Sequence, residues 1–162
     1  MTKQILILGA GFGGLELSHR LSTEVADEVQ VTLIDKNEAF RFGFSKFDLM
    51  FGRASMSDVN LYYRDLVKPS VEFRQETVTS IDAASKRVTT NAGTYNPDIL
   101  VVALGADYDF DSTPGFSEGG HEFYSFDGAA ALKDVLADFS SGSIVIGILG
   151  QPYKCPPAPC EA

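Results

Sequence analysis

An α/β fold with a central parallel sheet is what this sequence predicts, on three observations. A short apolar run, residues 4–8 (QILIL), passes directly into glycines; a stretch of helical periodicity follows; and a second apolar run, residues 29–34, ends in Asp35. A continuous apolar run of this length is the pattern of a strand covered on both faces. Strand, helix and strand in that order form a βαβ unit, whose crossover is right-handed and whose strands are parallel.

Bulk properties set the frame. The chain has 162 residues, of which 44% are hydrophobic and 22% charged, the balance of a folded globular domain. A formal net charge of −9 argues against a nucleic-acid partner, because such proteins present a basic stripe that displaces counterions. No apolar stretch reaches the ~20 residues that span a bilayer, and the opening MTKQILILG runs straight into a strand pattern without a signal-peptide design. The expected location is the cytoplasm, with peripheral attachment to the inner face of the membrane left open.

Each element follows in order. After the first strand, Gly14, Leu17, Ser18 and Leu21 share one helical side while Glu16, His19 and Arg20 fall elsewhere, so that side faces the sheet. Residues 40–51 (FRFGFSKFDLMF) read as a loop entering a helix; their phenylalanines could wall a flavin or quinone site, although a core stripe is the commoner use of such a pattern. Downstream, VEFRQETVTSID, KRVTT and GTYN read as short strands joined by turns, predicting a small antiparallel β layer beside the parallel sheet. Residues 98–103 (DILVVA) predict a further buried strand ending near Gly105. Residues 111–120 form a Pro/Gly/Ser connector, and residues 127–137 a helix burying Ala130, Leu132, Val135 and Leu136. A last apolar strand is expected at residues 143–149 (SIVIGIL). Domain boundaries follow: residues 1–112 as a dinucleotide-binding domain, 113–142 as connector and helix, and 143–162 as the start of a second dinucleotide-type domain.

The glycines carry the chemistry. Gly9, Gly11 and Gly14 form G-x-G-x-x-G between a strand and a helix, the context in which the motif is specific. The first makes the tight turn, the second admits a pyrophosphate against the backbone, and the third lets helix and strand approach. The helix N-terminus adds N–H donors and a positive dipole end. Asp35, about twenty residues further on, is placed to accept hydrogen bonds from an adenosine ribose and to repel a 2′-phosphate, which disfavours NADP. The bland alternative is a glycine-rich turn with no ligand.

These residues, GAGFGG, IDKN, VTSID and ILVVALGA, resemble the FAD domain of the two-dinucleotide-fold flavoproteins, the pyridine nucleotide-disulfide oxidoreductase superfamily. The resemblance implies a Rossmann-like FAD/NAD(P)-binding fold with FAD in this first unit. It also implies cofactor contacts along Gly9, Gly11, Phe12, Gly13, Gly14, Asp35 and Lys36, the backbone of Val78 at the adenine, and the loop Ala103-Leu104-Gly105 close to the cofactor. Where the family commonly has Ala-Thr-Gly, Leu104 replaces the threonine and its hydroxyl contact is lost.

Beyond the last strand pattern, Gly147-Ile148-Leu149-Gly150 is not a nicotinamide loop, and the prolines at 152, 156, 157 and 159 remove N–H donors that a pyrophosphate would need. The loop instead carries Cys155, at or just before a possible helix start and beside Lys154. Both features lower a thiol pKa. On the residues alone, a reactive thiolate and a packing cysteine are equally good readings.

The segment PYKCPPAPCEA resembles the active-site stretch of sulfide:quinone oxidoreductases and of the flavoprotein subunit of flavocytochrome c sulfide dehydrogenase, which favours the reactive reading. The resemblance implies that Cys155 lies beside the flavin, accepts sulfide sulfur and pairs with a cysteine much further along the chain, and that electrons pass through FAD to a quinone or cytochrome. Cys160 is not the expected partner: five residues span about 15 Å extended or about 7 Å helical, beyond ordinary disulfide reach.

Two other readings stay open: a type II NADH:quinone dehydrogenase-like flavoprotein, and a non-catalytic FAD-binding fragment. In the resembling enzymes, C-terminal segments complete the flavin site and membrane surface, so the remainder of the polypeptide or a second chain is an expected partner. This chain alone is expected to retain flavin weakly or to aggregate through sheet edges. His121 could carry protons near a sulfur site, though a solvated loop histidine is the commoner case, and His19 is expected to be exposed. No metal-ligand set or serine nucleophile motif is visible.

Overall fold

The computed structural model describes residues 2–150. Strand β1 (Lys3–Leu8), helix α1 (Phe12–Glu24) and strand β2 (Val29–Asp35) form the expected βαβ unit, with β1 and β2 parallel in register from Lys3 opposite Val29 to Leu8 opposite Ile34. Three short elements follow in chain order before the next long strand: β3 (Ala39–Phe40), helix α2 (Ser45–Met50) and β4 (Leu61–Tyr62), with β3 and β4 paired antiparallel. Helix α3 (Tyr63–Leu66) then leads to β5 (Val71–Gln75), which joins β2 in parallel. Strands β6 (Val78–Asp82), β7 (Arg87–Thr90) and β8 (Thr94–Tyr95) make the antiparallel layer, and β9 (Ile99–Val102) returns beside β1. The parallel sheet therefore runs β5-β2-β1-β9. The predicted Rossmann-like α/β fold with a small antiparallel layer is the fold observed.

Alternation along β1 explains the layering. Successive strand residues point to opposite faces. Ile5 and Ile7 join Val31, Leu33, Tyr63 and Val71 on one face, against Leu15, Leu17 and Leu21 of α1. Leu6 and Leu8 join Ile34 and Val88 on the other, against Val78, Tyr95 and Leu100. Gly14 and Ser18 are the buried residues of α1, as its periodicity predicts. Glu76, between the two sheets, is buried and accepts hydrogen bonds from Thr90 Oγ1 at 2.6 Å and Tyr95 OH at 2.8 Å. Burial, then the Glu76 hydrogen bond, holds the Tyr95 phenol above its ordinary pKa.

The chain divides into two compact units, residues 2–40 with 60–107, and residues 41–59 with 108–150. In the second, α2 packs on α5 (Phe126–Asp138), which follows a short 3-10 helix at Phe110–Ser112 and helix α4 (Phe116–Gly119). Ser125 caps α5, its Oγ accepting the Gly128 N–H at 2.8 Å, and Glu122 in turn accepts the backbone N–H groups of Tyr124 and Ser125. Lys46 is buried and donates to the Tyr124 carbonyl at 3.1 Å, its ammonium lying over the Tyr124 ring.

Four expectations are corrected. Strand β9 is not covered on both faces: it is the last strand of the sheet, and Ile99 and Val102 are exposed. Helix α5 buries Ala129 and leaves Ala130, Leu132 and Leu136 half-buried, while Val135 is exposed. Of the phenylalanine stripe, Phe42, Phe44 and Phe51 are exposed, while α2 buries Lys46, Leu49 and Met50; Phe42 and Phe44 pair with each other instead of filling a core. Residues 143–149 form no strand and are exposed throughout. Cys155, Cys160 and the surrounding prolines lie outside the described residues.

Candidate dinucleotide site

The site forms where β1 ends. Gly9 has φ 95°, a conformation that L side chains rarely adopt, and a methyl group there would lie 2.4 Å from the Ala103 carbonyl oxygen. A methyl at Gly14 would lie 1.8 Å from the Gly9 oxygen. These two glycines are therefore required by packing of turn, helix and the 103–104 backbone. Gly11 and Gly13 differ: a Cβ at either meets nothing within 4 Å. Their lack of a side chain leaves open space at the start of α1, whose N-cap, Gly11, offers no side-chain cap. First-turn N–H groups have no acceptor within their own helix and carry the positive end of its dipole.

The turn is fixed from several sides. The Gly9 N–H donates to the Ile34 carbonyl at 2.7 Å, and the Ala103 N–H to the Leu8 carbonyl at 2.8 Å. Asp35 Oδ2 accepts the Ala10 N–H at 2.8 Å, while its Oδ1 accepts from the backbone N–H and side-chain amide of Asn37. The Ala10 carbonyl accepts from the Tyr63 hydroxyl at 3.0 Å. A carboxylate offers about four lone-pair positions, so Asp35 keeps acceptor capacity for a sugar hydroxyl.

The structure thus brings Gly9, Gly11, Phe12, Gly13, Gly14, Asp35, Ala103 and Leu104 around one turn. Phe12 is 66% exposed, with its ring edge-on to Phe40 at 4.9 Å. Lys36 continues outward from Asp35, exposed; Leu104 and Gly105 continue from Ala103, also exposed. Val78 opens β6 on the opposite side of the sheet from α1, packed on the Leu6, Leu8 and Ile34 cluster. Tyr63 and the Ala10 peptide are absent from the sequence reading. Tyr63 lies 53 residues from Ala10, within LYYRDL, and no local spacing marks it. His19 and His121 are both exposed. Among the described residues there is no group of histidine, cysteine and carboxylate side chains able to hold a metal ion, and no helix long and apolar enough to cross a membrane.

This donor set fits a dinucleotide: open glycine backbone at a helix N-terminus for the pyrophosphate and a carboxylate at the end of β2 for a ribose. Comparison with known proteins agrees. Residues 3–147 match the pyridine nucleotide-disulphide oxidoreductase family. The type II NADH:quinone oxidoreductase of Staphylococcus aureus is 42% identical over 106 residues, covering 64% of this chain and 26% of that protein. Among solved structures, the sulfide:quinone oxidoreductase of Aquifex aeolicus is similar with a TM-score of 0.75 and 25% identity, over 85% of this chain and 32% of that one. NDH2 of Plasmodium falciparum, solved with NADH, shares the fold with a TM-score of 0.68 and 21% identity, over 85% of this chain and 30% of that one. The chain spans about a third or less of the length of these relatives. FAD is the cofactor of this fold, and the chain belongs to the pyridine nucleotide-disulphide oxidoreductase family.

Proposed function

We propose that this chain is the FAD-binding part of a flavoprotein oxidoreductase that takes electrons from sulfide, or a related sulfur species, at Cys155 and delivers them to a quinone. The observation that carries the sulfur reading is the sequence YKCPPAP, with Cys155 beside Lys154 and prolines where a nicotinamide loop would need N–H donors. A quinone acceptor is supported by the names of both relatives, the sulfide:quinone and the NADH:quinone oxidoreductase. In this reading residues 1–112 hold FAD, 113–142 connect, and 143–162 open a second dinucleotide-type domain.

Each residue has a task. The turn from Gly9 to Gly14 holds the pyrophosphate, Asp35 the ribose, and the backbone near Val78 and Ala103-Leu104-Gly105 the remainder of the cofactor. FAD, when bound, supplies a two-electron acceptor between sulfur donor and quinone. Cys155 would hold the sulfur as a persulfide, the two electrons released when that S–S bond forms passing to FAD.

A second reading has its own observation: the 42% identity to a type II NADH:quinone oxidoreductase over 106 residues. The two separate in an anaerobic visible spectrum of the purified protein. Under the sulfur reading the flavin bands bleach with sulfide, persist with NADH, and no longer respond to sulfide after Cys155→Ser. Bleaching by NADH, or by sulfide regardless of Cys155, would replace it with the dehydrogenase.

A further inference from the structure

We propose that Tyr63 is a positioning residue for the pyrophosphate: its buried hydroxyl fixes the peptide between Ala10 and Gly11 so that the Gly11 N–H faces the ligand. The proposal rests on the dinucleotide-site reading above. Tyr63 is 3% exposed, opens α3, and is anchored by its own N–H, which donates to the Glu38 carbonyl at 3.1 Å. Its ring packs on Phe73 at a centroid distance of 4.8 Å. That hydroxyl meets the carbonyl of Ala10, a residue with no solvent exposure, at 3.0 Å.

Peptide geometry gives the contact its consequence. A trans peptide is planar, so the carbonyl of one residue and the N–H of the next point in opposite directions. With the Ala10 carbonyl held inward on Tyr63, the Gly11 N–H points away from the core, at the residue whose missing side chain leaves open space. The preceding peptide is fixed independently, by the Ala10 N–H on Asp35 Oδ2. Both peptides flanking Ala10 are thus oriented before any ligand arrives, and the ordering cost that a flexible glycine loop would impose on binding is reduced.

The test is displacement of FAD from the full chain by ADP and, separately, by adenosine, which lacks the phosphates. Tyr63→Phe keeps the ring and removes the hydroxyl. It is expected to weaken ADP about tenfold while changing adenosine less than about twofold. Phe73→Leu loosens the same core without touching the hydroxyl; it should lower the apoprotein Tm and leave the ADP-to-adenosine ratio unchanged. Equal loss of both ligands in Tyr63→Phe, or no loss of ADP binding, would overturn the assignment. Absence of ADP binding by the unaltered chain would instead overturn the nucleotide site and the Tyr63 assignment with it.

Discussion

Residues 4–8 and residues 143–149 are both apolar runs that end near glycine, and they fare differently. The first lies in β1, with β2 on one side and β9 on the other, and Ile7 and Leu8 have no solvent exposure. The second forms no strand and is exposed, with Val145 89% exposed. An apolar run states what a strand could bury. Whether it becomes one depends on neighbours that satisfy its backbone N–H and carbonyl groups, and those lie elsewhere in the sequence. The same contrast divides the glycines: at Gly9 and Gly14 surrounding backbone forbids a side chain, while a Cβ added at Gly147 would meet only the Leu149 side chain, at an ordinary 3.6 Å.

The largest test of that contrast is a pair of substitutions. Gly14→Ala forces a methyl against the Gly9 oxygen and should cost about 3 kcal/mol in chemical denaturation, with loss of FAD binding. Gly147→Ala should stay within about 0.5 kcal/mol of the unaltered chain. Comparable losses in the two variants would show that the later glycine is packed as tightly as the first.

The smallest effect concerns the anchor that β1 has and residues 143–149 lack. Asp98, just before β9, accepts the Gln4 N–H at 2.9 Å and lies near Lys3; these contacts, the Gln4 hydrogen bond first, hold its carboxyl below the usual value of 3.8. A depressed carboxyl pKa contributes stability above the unfolded value and loses it as pH falls through the folded one. The Tm of the unaltered chain should exceed that of Asp98→Asn slightly at neutral pH, and the gap should close as pH falls below 3.8. A gap that widened in acid would reverse the sign of the interaction.

How far the molecule was legible depended on sequence distance. The turn at Gly9, Gly11 and Gly14 and the acid at Asp35 lie within one βαβ unit, so their spacing alone predicts that they come together, as they do through the Ala10 N–H on Asp35. The antiparallel layer was legible as short strands and turns. That β5 instead extends the parallel sheet was not, because a half-buried strand has the same alternation whichever neighbour it joins. The exposure of β9 follows from its place at the end of the sheet, a property of topology. Tyr63 was invisible because its function is a single hydroxyl reaching Ala10 across 53 residues. The phenylalanines near α2 misled for a related reason: hydrophobic spacing does not say which rings pair with each other in solvent.

The most direct measurement of the central claim, that the open glycines at the start of α1 cradle the cofactor, is an FAD titration of Gly11→Val beside the unaltered chain, with apoprotein Tm recorded for both. A Cβ at Gly11 meets nothing within 4 Å, so the fold should be undisturbed and the Tm unchanged, while the added side chain fills the space a pyrophosphate needs and FAD binding is lost. Gly11→Val binding FAD as tightly as the unaltered chain would contradict the account.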